Sequence, residues 1–172
     1  MKQTDIKALA KEDAFKLIAN DWMLVTAGTE DHFNTMTASW GGIGILWNRP
    51  VAFLFIRPER YTHEFLEANE RLSLSFFTED YRKALQLCGS KSGRDMNKVE
   101  AAGLHPLTVA DGVIGFDEAR LTLSCRKLFQ TDMQPCNILD KEILERFYTG
   151  PHGGGYHTIY VAEIEGVFEG EK

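Results

Sequence analysis

Apolar residues recur at two spacings along this chain, and the spacing of two dominates. The opening K-E-D-A-F-K-L-I-A-N-D places Ala14, Phe15, Leu17 and Ile18 on one side at helical spacing, which predicts a short helix ending near Asn20. From Trp22 the pattern changes. W-M-L-V-T-A-G predicts a strand, T-E-D-H-F a turn, and N-T-M-T-A-S-W a strand in which Met36, Ala38 and Trp40 alternate with Thr35, Thr37 and Ser39. That alternation sends the hydroxyls to one face. Gly41, Gly42 and Gly44 interrupt it and permit a bulge or a close backbone approach.

V-A-F-L-F-I-R predicts a buried strand, and T-H-E-F-L-E-A-N-E a helix with Thr62 as its N-cap. R-L-S-L-S-F-F predicts an alternating strand, Y-R-K-A-L-Q-L-C a short helix and G-S-K-S-G a loop. Asp95 is read as the cap of a helix through M-N-K-V-E-A-A that Gly103 stops. F-D-E-A-R-L-T-L-S-C-R-K-L-F-Q predicts one long bent strand, K-E-I-L-E-R-F-Y a helix, and H-T-I-Y-V-A-E-I-E-G-V-F a closing strand. The expected fold class is therefore mainly β, with antiparallel strands and short peripheral helices. A βαβ rhythm is missing, which argues against a doubly wound sheet. A Greek-key barrel is the natural closure, because it removes exposed edges.

The length of 172 residues, without a repeat or linker, favours a single domain over 1–172. The net charge of −6 argues against a nucleic-acid surface, which needs a basic stripe. No apolar run is long enough to span a bilayer, and the N-terminus lacks the apolar stretch of a targeting signal. Three widely spaced cysteines, Cys88, Cys125 and Cys136, suggest no disulfide framework, so a reducing, cytoplasmic compartment is the simplest reading.

Three segments carry the candidate chemistry. R-P-E-R-Y-T (Arg57 to Thr62) puts Arg57 at a strand end, because Pro58 biases it toward extended geometry, and Arg60 just before a helix start. A helix N-terminus offers free N–H groups and partial positive charge, which suits a phosphate. N-T-M-T-A-S-W (Asn34 to Trp40) offers hydroxyls and backbone groups to the rim of a planar ring, with Trp40 or Met36 packed nearby. C-G-S-K-S-G-R-D-M-N-K (Cys88 to Lys98) adds a loop of small residues with exposed amides, and charge from Arg94 and Lys98. Each segment alone also reads as ordinary structure: surface ion pairs, a strand with a polar face, a loop into a helix. Together they meet the needs of a phosphorylated planar cofactor such as flavin mononucleotide (FMN).

Other residues point less clearly. Cys88 reads as a small buried hydrophobe rather than a nucleophile. His152, His157 and Cys136 fit no familiar zinc spacing. His157, just before the closing strand, either packs or approaches a flavin or nicotinamide. The Gly153-Gly154-Gly155 run lacks the G-K-[ST] of a phosphate loop, and neither G-x-G-x-x-G nor G-x-S-x-G is present.

In order and mutual spacing, the three segments resemble the flavin reductase-like family, and within it the flavoredoxin branch. The matching text is N-T-M-T-A-S-W, a proline before a strand (Pro50), R-Y-T leading a helix, C-G-x-x-S-G-R-D-x-N-K, and the closing Y-H-T-I-Y-V-A-E-I. The resemblance implies an FMN-binding split β-barrel, a homodimer with flavin near the subunit interface. It implies that Asn34, Met36, Thr37, Ala38, Ser39 and Trp40 line the ring and ribityl chain. Arg57, Arg60, Tyr61 and Thr62 would surround the phosphate, and Ser92, Gly93, Arg94 and Lys98 would form another wall. The chain has Asn97 where relatives often carry Asp, which removes a negative charge beside Lys98, and N-R-P where a double proline is common. The implied activity is reduction of FMN by NADH or NADPH, with no side-chain nucleophile. The alternative is an electron-transfer protein that holds FMN, serves a redox partner protein and has no nicotinamide site.

Overall fold

The computed structural model describes residues 1–110, 112–150 and 153–170. Its strands are β1 (Lys2–Thr4), β2 (Met23–Thr29), β3 (His32–Ala38), β4 (Gly41–Leu46), β5 (Arg49–Ile56), β6 (Arg71–Phe76), β7 (Pro106–Thr108), β8 (Ile114–Phe116), β9 (Leu121–Asp132) and β10 (Thr158–Glu169). The α-helices are α1 (Tyr61–Ala68), α2 (Arg82–Ser90), α3 (Lys98–Ala101) and α4 (Lys141–Leu144). A wide helical turn, Lys16–Asp21, stands where the first periodic segment predicts a helix.

The main sheet runs β3-β2-β6-β9-β10-β5-β4, with β1 paired to β10, and its pairings are all antiparallel. Its two end strands, β3 and β4, are neighbours in the chain and only Ser39 and Trp40 join them. A sheet whose far edges are tied by two residues must curl until those edges meet. The result is a barrel split between β3 and β4, the mainly β fold expected from the alternating pattern. The register of β10 against β9 shifts at Val161/Ala162 and again at Ile164/Gly166, and these irregularities help two twelve-residue strands bend around the barrel.

Alternation sorts the core. Met23, Val25 and Ala27 of β2 join Met36, Leu54, Leu72, Leu123 and Tyr160 inside the barrel. Leu24 points the other way, into a second cluster with Leu85 and Cys88 of α2, Leu104 and Phe116. The helical cover explains why β2 is buried on both faces. The hydroxyls of β3 are spent as well: Thr35 accepts from Thr26 of β2 at 2.9 Å and donates to the Val25 carbonyl, and Thr37 donates to the Leu85 carbonyl of α2.

Three expectations need correction. Thr62 is not the N-cap of α1. Arg60 holds that position, with extended backbone and no capping side-chain bond, and Thr62 is the second helical residue, fully buried. Asp95 does not cap α3. Its amide donates to the Ser92 carbonyl in a turn, and the Asn97 side chain accepts from the Glu100 amide instead, at 3.3 Å. The long strand from Phe116 is broken as well. Phe116 ends β8, and a turn held by Asp117 N–H to the His105 carbonyl and Arg120 N–H to the Phe76 carbonyl precedes β9. A turn made of polar residues between two apolar ones mimics strand alternation, which is why the pattern runs through it.

Candidate functional site

The split between β3 and β4 opens on two adjoining chambers. One, of about 190 Å³, is lined by Met36, Thr37, Ala38, Ser39, Trp40, Phe55, Arg57, Arg60 and His157. The other, of about 130 Å³, is lined by Met36, Glu59, Arg60, Tyr61, Thr62, Gly89, Ser90, Lys91, Ser92, Gly93 and Lys98. Met36 and Arg60 belong to both, so the chambers form one bent cleft.

The first chamber is floored by an edge strand. β3 pairs with β2 on one side only, so its outer N–H and C=O groups remain available in the direction of the chamber. With the Thr37 hydroxyl spent on Leu85, the backbone of residues 36–39 is the main polar surface there, beside the half-buried Ser39. Aromatic residues close it: the Trp40 ring lies 5.2 Å from Phe147 and 5.4 Å from His157. Arg57 is held at this wall. It donates to the Phe147 carbonyl at 2.9 Å, sits over the Tyr148 ring and faces Glu59 at 3.7 Å.

His157 completes the wall and is only 4% exposed. Its Nδ1 meets the Tyr148 hydroxyl at 2.8 Å. Burial, and then the Arg57 guanidinium, push its pKa down to about 4. The ring is therefore a neutral imidazole at physiological pH. Its ring-proton NMR resonances are expected to stay unchanged from pH 8 down to pH 5, whereas a shift centred near pH 6.5 would show a solvated ring.

The second chamber is built for an anion. The first amides of α1 face it with no side-chain cap. Arg60 lies half-buried with its Nη2 lacking any hydrogen-bond partner, and desolvation lowers its pKa. Lys98 is 4% exposed, and its Nζ donates to the Cys88 carbonyl at 3.0 Å without a carboxylate partner among the described residues. Burial lowers its pKa to about 8; Cys88 opposes that shift, and Arg60 adds to it more weakly than Cys88 opposes it. A buried ammonium beside a half-buried guanidinium, with only the exposed Glu59 carboxylate lining the chamber to oppose them, is an unfavourable arrangement. A phosphate would satisfy both, together with the open helix end.

Small residues shape the cradle. A Cβ on Gly93 would lie 2.1 Å from Asn34 Oδ1, and one on Gly89, in the last turn of α2, 3.2 Å from Thr37 Cβ, so the end of α2 and the loop after it lie directly on β3. Asn34 Nδ2 in turn donates to Thr62 Oγ1 at 2.7 Å, which ties β3 to the start of α1. Thirteen of the fourteen residues expected at the site line or brace this cleft. Asn34 does so through Thr62, and the rest line the chambers directly. Arg94 stands apart, on the outer side, paired with Glu64 and over the Tyr61 ring. Cys88 is buried and its pKa is raised by burial, in keeping with a packing role. His152 lies outside the described residues.

Sequence reasoning left out Phe55, Glu59, Gly89, Ser90, Lys91 and His157 as site residues. Phe55 was legible, since it shares a strand face with Arg57 by alternation. The placement of His157 depends on the β10–β5 pairing, which sets Thr158 opposite Ile56 and so brings His157 to the Arg57 end of β5.

The model of the flavin reductase like domain matches residues 15–172. No curated protein matches the chain. Among solved structures, the FMN-binding domain of a flavin reductases-like enzyme from Shewanella baltica is similar with a TM-score of 0.68 at 18% identity. It covers 98% of this chain and 76% of that one. A flavoredoxin from Methanosarcina acetivorans has a TM-score of 0.66 at 19% identity, over 88% and 69%. An FMN-binding protein from Thermus thermophilus, solved with p-hydroxybenzaldehyde bound, has a TM-score of 0.65 at 22% identity, over 86% and 70%.

Proposed function

From a chain that belongs to the flavin reductase-like family, we propose an FMN-binding oxidoreductase that accepts electrons from NADH or NADPH and passes them on. The observation that carries this reading is the unpartnered Nη2 of Arg60 beside the buried Lys98 ammonium and the uncapped start of α1. Arg60, Lys98 and the α1 amides would hold the phosphate, with Thr62 and Ser92 at its side. The backbone of 36–39 would take the ring rim, and Trp40 the ring edge. FMN, when bound, supplies the hydride and single-electron chemistry.

The chain's own residues position and shield. Trp40, Phe147 and Tyr148 exclude water from the ring-side chamber. Neutral His157, held by Tyr148, presents an imidazole rather than a second cation, so Arg57 remains the charge that favours an electron-rich ring. A homodimer belongs to the same reading. Trp40 and Trp47 are 45% and 57% exposed, and Trp47 meets the exposed Phe129 edge-on at 6.4 Å, so apolar surface continues outward from the split.

A second reading, a carrier that keeps FMN and exchanges electrons with a protein partner, draws support from the net charge of −6, which suits a basic partner. One anaerobic titration separates them. FMN added to the protein is expected to give a shifted flavin spectrum, and NADH or NADPH is then expected to bleach it. Bleaching by a reduced partner protein but by neither nicotinamide would establish the carrier. Unperturbed free-FMN absorbance would sink both readings.

A further inference from the structure

The Lys98 side chain is 4% exposed yet borders two spaces: the phosphate chamber of about 130 Å³ and, across the 93–98 loop, a cavity of about 680 Å³. A small neutral molecule thus has a route to a nitrogen that bulk solvent scarcely touches. As an ammonium that nitrogen carries three donors. Among the described residues they find one partner, the Cys88 carbonyl at 3.0 Å. Burial brings its pKa to about 8, so near that pH about half of the chains carry Lys98 as a free amine. A desolvated lysine close to another fixed cation is the arrangement that makes an amine nucleophilic, and Arg60 is that cation.

An electrophile suited to this amine is small enough for the chamber and becomes an anion on reaction. The chamber already holds an anion's partners, the orphaned Arg60 Nη2 and the uncapped amides of α1. Carbon dioxide meets both conditions. We propose that Lys98 is a carbamylation site, at which the ε-amine of the phosphate-free chain takes up CO2 reversibly. The nitrogen lone pair forms an N–C bond to the CO2 carbon, one C=O π pair moves onto oxygen, and one N–H proton leaves to solvent. Nothing is oxidised or reduced. The new carboxylate stands in the chamber, where Arg60 and the exposed Lys91 favour it. Glu59 opposes it from an exposed position, but faces Arg57 at 3.7 Å and accepts from the Gly155 amide at 3.1 Å. The carboxylates across the larger cavity, Asp31 and Glu100, are exposed to water. Lys127 is the internal contrast. Burial lowers its pKa as well, but Glu67 and Glu70 stand beside it and repel a carbamate. Carbamate and cofactor phosphate would exclude each other at Arg60. That exclusion rests on the phosphate role assigned above; the carbamate itself does not.

The test uses the full chain without flavin, equilibrated with ¹³C-bicarbonate near the Lys98 pKa of about 8. A ¹³C carbamate resonance is expected. Trapping with triethyloxonium, followed by peptide mass spectrometry, is expected to place the label on Lys98 and not on Lys127. The label is located in the unaltered chain, so the assignment does not depend on how a variant folds. Lys98→Met is expected to lose the resonance, and Arg60→Ala to lower the trapped label about tenfold, since a charge-assisted partner is removed. FMN is expected to displace the label and riboflavin to leave it. No resonance, a label spread over exposed lysines, or an undiminished label in Arg60→Ala overturns the proposal. A label on Lys98 that persists while the flavin spectrum shows FMN bound upholds the carbamate and strikes the phosphate assignment instead, so the two failures are read separately.

Discussion

Replacing Arg60 by alanine is expected to weaken FMN on the order of a hundredfold and riboflavin less than about threefold, since the two ligands differ only in the phosphate. The reasoning starts from the free protein. Arg60 carries its charge half-buried, with Nη2 unbonded and its pKa lowered by desolvation. That arrangement costs stability until an anion arrives. Arg60→Ala is therefore expected to leave the apo-protein at least as stable in urea while removing the phosphate's strongest partner. Equal losses for FMN and riboflavin, or a destabilised apo-protein, would mean that Arg60 is structural.

Lys98 adds a pH dependence of opposite sign for folding and for binding. Its pKa falls from an ordinary 10.5 to about 8 in the folded chain. Between these values the unfolded chain holds a proton that the folded chain has lost, so apo-protein stability rises with pH through that window. FMN affinity moves the other way. It rises as the phosphate takes its second charge near pH 6, is highest up to about pH 8, and falls above that as free Lys98 loses its proton. Lys98→Met is expected to remove the alkaline fall.

How much of this was legible in the chain follows from which forces act locally. The unbroken apolar run of residues 51–56 and the alternation of 71–76 both reflect side chains that face a core, so those strands and the barrel class were readable. The glycine and serine of 89–93 signalled a loop with exposed amides, although Gly89 and Ser90 close α2 and the loop begins only after them. Caps were misassigned at Thr62 and Asp95 because residues with a capping oxygen stand at both, and tertiary partners chose differently: Asn34 claims Thr62, and the turn at Ser92 claims the Asp95 amide. The hydroxyls of Thr35 and Thr37 were visible as a polar face, but α2 covers that face, and nothing within the strand announces a helix 48 residues away. His157 required the pairing of β10 with β5, which is a property of the whole sheet.

Gly93→Ala is expected to be the most damaging single methyl in the site. An added Cβ would lie 2.1 Å from Asn34 Oδ1 and 3.2 Å from Tyr61 Cδ1. Asn34 cannot turn aside cheaply, since it is buried and its Nδ2 is bonded to Thr62 at 2.7 Å. Either that bond breaks or the loop lifts, carrying Ser92 away from α1 and loosening the approach to Lys98. We expect a loss of about 1–3 kcal/mol in stability, and an FMN affinity reduced tenfold or more against a smaller change for riboflavin. Gly44→Ala is the control, because a Cβ there meets only Phe53 at an ordinary 3.7 Å. A double-mutant cycle locates the clash: with Asn34→Ala already in place, Gly93→Ala is expected to cost little more, because the obstructing oxygen is gone. Strict additivity of the two losses, or a Gly93→Ala protein indistinguishable from Gly44→Ala, would show that the loop does not need to lie against β3 and that the phosphate chamber owes its shape to something else.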